Sequence, residues 1–557
     1  MMAERLIYLP LGGAGEIGMN AYVYGYGPEG RERYILVDLG VAFPDMDTTP
    51  GVDLITADVS WLAERADRLE AIFVTHAHED HVGGVSLLHG RLKAPVYARA
   101  FTGNIARRKM EEKGLDPDEV RIVGAWPEVV EAGPFKVSYL PVSHSIPEAA
   151  GLVIDSPAGR VIHTGDFKLD PTPIVGEPFD PDLWREVSKD GVLALVCDST
   201  NVFSPKPGRS EADVAPELKP LVAEAKGMVV ATTFASNIAR LRSLAEAGRE
   251  AGRSVVLLGR AMKRMVTAGV ESGVLTDFPP TIPPEAAGDI PRDNLMLIVT
   301  GSQGERRAAS AQLARGKYLG FELTEGDLFV FSSKTIPGNE KGVARIMNAL
   351  SEKGVDLVDD EGGRYHVSGH ANRPDLLEIH KLVNPKMVVP MHGEHRHLRA
   401  HARLAEAQGR RGILAPNGAM VVLSGNKPGV VEHVETGRTY LDGSLLVGAF
   451  DGVVRDRLKM ALNGHVVVAV IIDEGDDPIE DAWAELRGLP EIGQSKADMQ
   501  ELVEYEVGQV LTRANRKTLD DDGRLEEAVT RAVRQVCVTE LGRRPEVSVL
   551  ISRLMAE

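Results

Sequence analysis

At 557 residues, with 43% hydrophobic and 26% charged side chains, the chain has a globular composition. At roughly 100–200 residues per domain it holds about three domains, and disordered and fibrous classes are excluded. Its formal net charge of −18 opposes wholesale attraction to nucleic acid or acidic membranes, so any polyanion must meet a local basic surface. Two cysteines provide no disulfide framework, and no apolar run approaches the ~18 residues of a membrane span, so a cytoplasmic location without membrane is expected.

From Leu6 to about Asp166, short apolar runs such as Tyr34–Asp38, Ala71–Thr75 and Val161–His163 read as strands ended by Gly, Pro and Asp. Directly after Ala71–Thr75 come His76-Ala77-His78-Glu79-Asp80-His81, four potential metal ligands within six residues. A tight loop can turn His76 and His78 toward one ion and Asp80 and His81 toward another; imidazole and carboxylate at this density suit Zn²⁺ or Mn²⁺. Glu79 reads as an exposed loop acid. Further candidates end other strands: His144, Asp166 in Thr164-Gly165-Asp166, and His392 in Pro390-Met391-His392-Gly393-Glu394.

Between about Met228 and Asp359 the pattern becomes strict strand–helix alternation: Met228–Phe234, Asn237–Gly252, Ser254–Gly259, Asn294–Gly301, Asp327–Ser333, Lys341–Gly354 and Val355–Asp359. It predicts a doubly wound parallel sheet inserted into the first domain, whose style returns around Met387–Val389. Basic residues follow the inserted strands: Arg260, Lys263, Arg264, Arg306, Arg307 and Lys334. At strand C-termini they would face the ligand-binding crevice of an open α/β sheet, although a solvated helix face explains them too. Ser236 and Asn237 open a helix and offer an anion site, and plain capping accounts for them equally well.

Residues 451–465 read as a linker to a small α+β domain, 466–557, with elements Val466–Asp473, Ala497–Asn515, Leu525–Leu541 and Glu546–Leu554. The last 87 residues hold 20 acidic against 11 basic side chains, a net −9, which suits protein contacts better than RNA. Its helices carry apolar stripes at helical spacing, Leu502, Val503, Val507, Val510 and Leu511 on one, Ala528, Val529, Ala532, Val533 and Val536 on the other. These serve either the domain's own core or self-association.

The His-x-His-x-Asp-His signature with the later His, Asp and His resembles the metallo-β-lactamase superfamily. The α/β insertion, with Asp198 in Val196-Cys197-Asp198-Ser199-Thr200-Asn201, His370 in His366-Val367-Ser368-Gly369-His370, and Pro390–Glu394, resembles its β-CASP group. With Gly12–Gly18, Gly301–Glu305 and the C-terminal module added, the whole chain is similar to the ribonuclease J family. The resemblance implies an αββα sandwich at 1–208 and 365–450, an inserted β-CASP domain at 209–364, and a C-terminal α+β assembly domain. It implies two divalent ions per chain, Zn²⁺ and/or Mn²⁺: one on His76, His78 and His144, a second on Asp80, His81 and His392, with Asp166 bridging and Asp38 in support.

The implied activity is hydrolysis of RNA phosphodiesters in RNA maturation and decay. It combines a 5′-to-3′ exonuclease favouring single-stranded 5′-monophosphate ends with endonuclease activity. Asp80 and Asp166 serve catalysis through the ions. His370 is the candidate proton donor with Asp198 orienting it, while Ser236, Asn237, His366, Ser368, Gly369 and His370 are the candidate substrate contacts. A homodimer or higher homo-oligomer is expected, and RNA-decay proteins are further candidate partners. The competing readings are a DNA-directed β-CASP nuclease and an inactive RNA-binding scaffold. Cys197, beside Asp198, reads as a buried strand thiol.

Overall fold

The computed structural model describes residues 4–360, 362–473 and 482–554. The chain divides into two compact units, one of Met1–Ala42 with Thr56–Arg438 and one of Phe43–Ile55 with Thr439–Glu557.

Two sheets face each other in the first unit. One has eight strands in the order Gly429–His433, Ala419–Val422, Glu4–Gly12, Ala21–Pro28, Arg33–Val37, Leu69–Phe73, Val96–Ala98, Val120–Ile122. The other has seven, in the order Val130–Ala132, Phe135–Pro141, Ala150–Ser156, Gly159–His163, Ala194–Asp198, Met387–Met391, Arg411–Gly412. Alternate residues fill the space between them: Leu6, Tyr8, Tyr22, Tyr24, Val37 and Phe73 pack against Phe135, Tyr139, Leu152, Val161, Val196 and Val389. Helices cover the outer faces; Ala100–Glu112 lies on Val96–Ala98 and Val120–Ile122, and His395–Ala407 on Met387–Met391. This is the metallo-β-lactamase sandwich.

Strand direction places the functional loops. Arg33–Val37 runs parallel to Leu69–Phe73, and Gly159–His163, Ala194–Asp198 and Met387–Met391 are mutually parallel. Phe135–Pro141 shares their direction through the intervening antiparallel strand Ala150–Ser156. The loops after all six therefore leave by one edge of the sandwich. They carry Asp38, the His76–His81 segment, His144, Asp166 and His392, and Asp198 is the last residue of its strand.

The insertion is a five-stranded, wholly parallel sheet ordered Ser254–Leu258, Leu295–Val299, Val229–Thr232, Leu328–Phe331, Asp356–Val358. Its strands are apolar without alternation because both faces are covered. Val230, Leu297 and Phe329 face one cluster, and Val229, Ala231, Met296, Ile298 and Val330 the other. The first strand in chain order lies at the centre, so the crevice at its C-terminal end is a topological switch point. The loop leaving it holds Ser236 and Asn237, and the helix Ile238–Glu250 follows.

In the second unit a three-stranded sheet, Trp483–Arg487, His465–Ile472, Glu546–Arg553, packs one face on the helices Met499–Arg513 and Asp522–Leu541. Within residues 451–465, Val453–Asn463 is a helix. Of the two readings of the helical stripes, the domain's own core accounts for most of their residues. Val503, Val507, Leu511, Val529 and Val533 are buried in it, and Leu502, Val510 and Val536 pack against it. The buried members hold the domain together and supply no argument for self-association, while Ala528 and Ala532 lie outside that cluster and are partly exposed.

Candidate metal centre

The segment after Leu69–Phe73 turns sharply. His78 is extended and precedes the short helix Glu79–Val82, which throws Asp80 and His81 to a different side from His76 and His78. Two donor groups result. In the first, His76 Nε2 and His144 Nε2 each lie 3.1 Å from His78 Nδ1. The second gathers Asp80, His81, Asp166 and His392. Asp166 Oδ2 sits between them, 3.2 Å from His81 Nε2, 3.3 Å from His392 Nε2, and 3.9 Å from both His76 Nε2 and His144 Nε2. Asp80 Oδ2 is 3.7 Å from His81 Nε2 and 3.8 Å from His392 Nε2.

Charge and burial are in tension here. Burial, reinforced by the other imidazoles, drives His76 well below the usual histidine range, and burial brings His78 down to about 4. His144 is likewise pushed well below by burial. Burial opposes ionisation of Asp166 also, yet His392, His81 and His370 hold its carboxyl well below its ordinary value. Asp166 Oδ1 is buried and has no hydrogen-bond partner. The imidazoles of His76, His78 and His144 held neutral, the Asp166 carboxyl held ionised and its unpartnered buried oxygen form a donor set suited to divalent cations of the Zn²⁺ or Mn²⁺ type.

The ring nitrogens turned away from the centre are held. Asp38 Oδ2 accepts from His81 Nδ1 at 2.7 Å, while Oδ1 accepts from Thr75 N at 2.8 Å. The Gly369 carbonyl accepts from His144 Nδ1 at 2.6 Å. Asn20 Oδ1 accepts from His392 Nδ1 at 2.9 Å and from Tyr22 at 2.7 Å, and its Nδ2 is 2.9 Å from the Asp80 carbonyl and 3.0 Å from His81 Nε2. His78 Nε2 is 3.1 Å from Ser236 Oγ of the inserted domain. Such partners fix the tautomer and direction of a ligating imidazole. Asp38 and His392 both have positive φ, 62° and 47°, a strained backbone that aims their side chains inward.

Beside this centre His370 Nδ1 is 2.8 Å from Asp198 Oδ2 and 3.9 Å from Asp166 Oδ2. Burial alone would lower its pKa, but Asp198, the hydrogen bond to it, Asp166 and Asp80 outweigh burial and raise it to about 9. Asp198 is fixed by Thr200, whose N and Oγ1 donate to Oδ1 at 2.9 and 2.7 Å.

The remaining sequence candidates divide. Ser236 and Gly369 touch the histidines, as described. Asn237 caps its helix, Oδ1 accepting from Arg240 N at 2.9 Å, while its Nδ2 is buried without a partner. His366 Nδ1 is equally buried and unpartnered; burial, then Arg240, Lys168 and Lys334, bring its pKa down to about 3. Ser368 Oγ accepts from Asn201 Nδ2 at 2.8 Å and from His370 N at 3.2 Å. Arg260, Lys263, Arg264, Arg306, Arg307 and Lys334 are exposed, and Arg264 pairs with Glu112 at 2.7 Å. Glu79 is partly exposed and takes Lys109 at 2.7 Å. Sequence reasoning passed over Asn20, Thr75 and Thr200. All three lay close to recognised motifs: Thr75 directly before His76, Thr200 two residues after Asp198, and Asn20 two residues beyond the Gly12–Gly18 turn.

The sequence of this site and its surroundings matches known families along its length. Residues 33–184 match the beta-lactamase superfamily domain and 364–416 the Zn-dependent metallo-hydrolase RNA specificity domain. Residues 226–350 match the ribonuclease J beta-CASP domain and 452–554 the ribonuclease J C-terminal domain. A ribonuclease J of Sinorhizobium meliloti is 42% identical over 99% of this chain and 98% of its own length. The chain belongs to the ribonuclease J family. Other members include a ribonuclease J of Mycolicibacterium smegmatis, 37% identical over 94% of this chain and 93% of its own, and one of Thermus thermophilus, 34% identical over 88% and 86%. The β-CASP family model falls on the inserted parallel sheet, and the C-terminal one begins at the helix Val453–Asn463. A crystal structure of a protein of unknown function from Enterococcus faecalis, 18% identical, covers 75% of this chain and all of its own with a TM-score of 0.50, a likeness of fold. Among the described residues no helix is long and apolar enough to cross a membrane.

Proposed function

We propose that the chain is a metal-dependent ribonuclease of the cytoplasm, acting in RNA maturation and decay as a 5′-to-3′ exonuclease that prefers 5′-monophosphate ends and as an endonuclease. The observation that carries the reading is Asp166 Oδ2 set between two donor groups, with the His370–Asp198 pair against them. His76, His78 and His144 would hold one ion, Asp80, His81 and His392 a second, and Asp166 both. Divalent ions there supply charge neutralisation at the phosphate and acidification of a water.

The protein's own residues do the rest. Asp198, bonded to Nδ1 at 2.8 Å, favours the protonated imidazole of His370, the state needed to donate a proton to the departing 3′ oxygen, and leaves Nε2 to do so. The unpartnered buried Asn237 Nδ2 and His366 Nδ1 are donors or acceptors waiting for a ligand, which supports a terminal phosphate held between the two loops. The exposed arginines and lysines beyond the inserted strands offer the local basic surface that an acidic chain needs for RNA.

The test uses purified full-length chain loaded with Zn²⁺ or Mn²⁺ and one end-labelled sequence as 5′-monophosphate RNA, 5′-triphosphate RNA and DNA. Processive degradation of the monophosphate RNA and slower attack on the triphosphate are expected. Equal cleavage of DNA would move the reading to a DNA-directed nuclease. Metal binding without hydrolysis would leave a scaffold.

A further inference from the structure

Among the described residues, four groups of ligand-bearing side chains lie within reach of one another; three belong to the centre already described, and one does not. Cys197, His380 and His401 each offer a donor atom within 4.8 Å of the others, and all three are buried at 0% exposure. They come from the strand Ala194–Asp198 and the helices Arg373–Val383 and His395–Ala407. Alternation along the strand sends Val196 into the space between the sheets and Cys197 to the opposite face, where His395–Ala407 packs. The cluster therefore sits in the helical layer and not in the catalytic edge.

We infer that Cys197, His380 and His401 bind one borderline-soft divalent cation, of the Zn²⁺ class, at a structural site separate from the catalytic centre. The first argument is convergence. His380 Nε2 and His401 Nε2 lie 3.0 Å apart, matching the 3.1 Å between His76 Nε2 and His78 Nδ1. The second is how the far nitrogens are held. His380 Nδ1 is 2.8 Å from Gln408 Oε1, and His401 Nδ1 is 2.9 Å from Ser199 Oγ. A carbonyl oxygen only accepts, so His380 Nδ1 carries the proton and its Nε2 lone pair points inward. That is the orientation a metal-ligating imidazole is given by its outer partners.

Chemistry agrees with geometry. Burial brings His380 down to about 4 and drives His401 well below its ordinary range, so both rings are neutral, the form that ligates. Burial and the neighbouring Asp198 raise the Cys197 thiol, so binding an ion there releases its proton and leaves a thiolate on the ion, a site of net charge +1 with the Asp198 carboxylate close by. One thiolate and two imidazoles select a Zn²⁺-like ion over Mg²⁺ or Ca²⁺, with a fourth tetrahedral position left for water. The ion would tie the segment leading into Asp198 to the helix following His392. Without metal the same atoms form a hydrogen-bonded relay, Ser199 to His401 to His380 to Gln408.

Cobalt substitution separates the two. The catalytic donors are all nitrogen and oxygen, and the chain has two cysteines, Cys197 and Cys537. Full-length protein reconstituted with Co²⁺ should show a near-ultraviolet sulfur-to-cobalt charge-transfer band that survives Cys537→Ser and disappears in Cys197→Ser. Metal analysis of the zinc form should fall by one ion per chain in Cys197→Ser and in His380→Gln. Should Cys197→Ser fail to fold, retention of the band in Cys537→Ser still assigns it to Cys197. A wild-type protein without the band, or a band lost with Cys537, overturns the site and leaves the histidine relay.

Discussion

Asp38→Asn isolates how an imidazole is aimed at a metal. Asn tolerates the positive φ of 62° at this position, so the substitution exchanges one buried oxygen for an NH₂ with little backbone cost. No orientation of the amide satisfies both neighbours. With Nδ2 in place of Oδ2 it opposes the Nδ1–H of His81 across 2.7 Å; turned over, it opposes the N–H of Thr75 across 2.8 Å. The first arrangement drives His81 to its other tautomer and puts a proton on Nε2, the nitrogen 3.2 Å from Asp166. Two routes give the magnitude. Losing a hydrogen bond to a charged group costs about 1.5–3 kcal/mol. Losing an outer partner of a ligating histidine weakens metal binding ~10–100-fold, or about 1.4–2.8 kcal/mol. Chelator competition on the folded variant, checked by circular dichroism, should show one ion of the catalytic pair weakened by that factor and the other ion of the pair little changed. Both ions bound with wild-type affinity would refute His81 as a ligand through Nε2.

Asp80→Ala, His81→Ala and His144→Ala should each abolish hydrolysis in a folded protein, as read by RNA turnover after metal depletion and restoration; near-normal rates would defeat the two-ion assignment. His370→Ala should slow single-turnover cleavage by ~10²–10⁴-fold while bound metal stays constant, the range for losing a general acid; loss of metal would make it a ligand instead. Gly369→Ala should weaken both metal binding and stability, the latter by about 1–3 kcal/mol, because an added Cβ would stand 2.7 Å from His144 Cε1; denaturant melts with unchanged midpoint would show the loop yields freely. Truncation after about Gly448 should give a metal-binding monomer of lower activity by light scattering, and an unchanged oligomeric state would place the subunit interface elsewhere.

The candidate donors that the fold brings together were legible because ligand density is a local property: four of them stand within six residues, and each of the others follows a strand. The inserted sheet was legible for a similar reason, since strands buried on both faces read as unbroken apolar runs such as Leu295–Val299. What escaped depends on contacts far apart in the chain. Asn20 meets His392 across 372 residues and Ser236 meets His78 across 158, and no spacing rule encodes such pairs. The helical stripes of the C-terminal domain, open to two readings in the sequence, show why periodicity alone does not choose between them. Amphipathic periodicity shows that a face is buried, but not against what, and here the partner is the domain's own sheet.

The same long-range contacts bear on why the insertion exists. Two of the histidine orienters, the Ser236 hydroxyl and the Gly369 carbonyl, come from the inserted domain and the loop that returns from it, not from the sandwich that carries the ligands. His370 arrives on that same returning loop, and Asp198 on the strand just before the chain departs. A sandwich without the insertion would keep the seven donor residues but would lose the outer support of His78 and His144 together with the His370–Asp198 pair. The insertion thus completes the geometry of the first donor group as well as offering a basic surface. Two hydrogen bonds, Ser236 to His78 and His144 to Gly369, join the insertion and its returning loop to the first donor group.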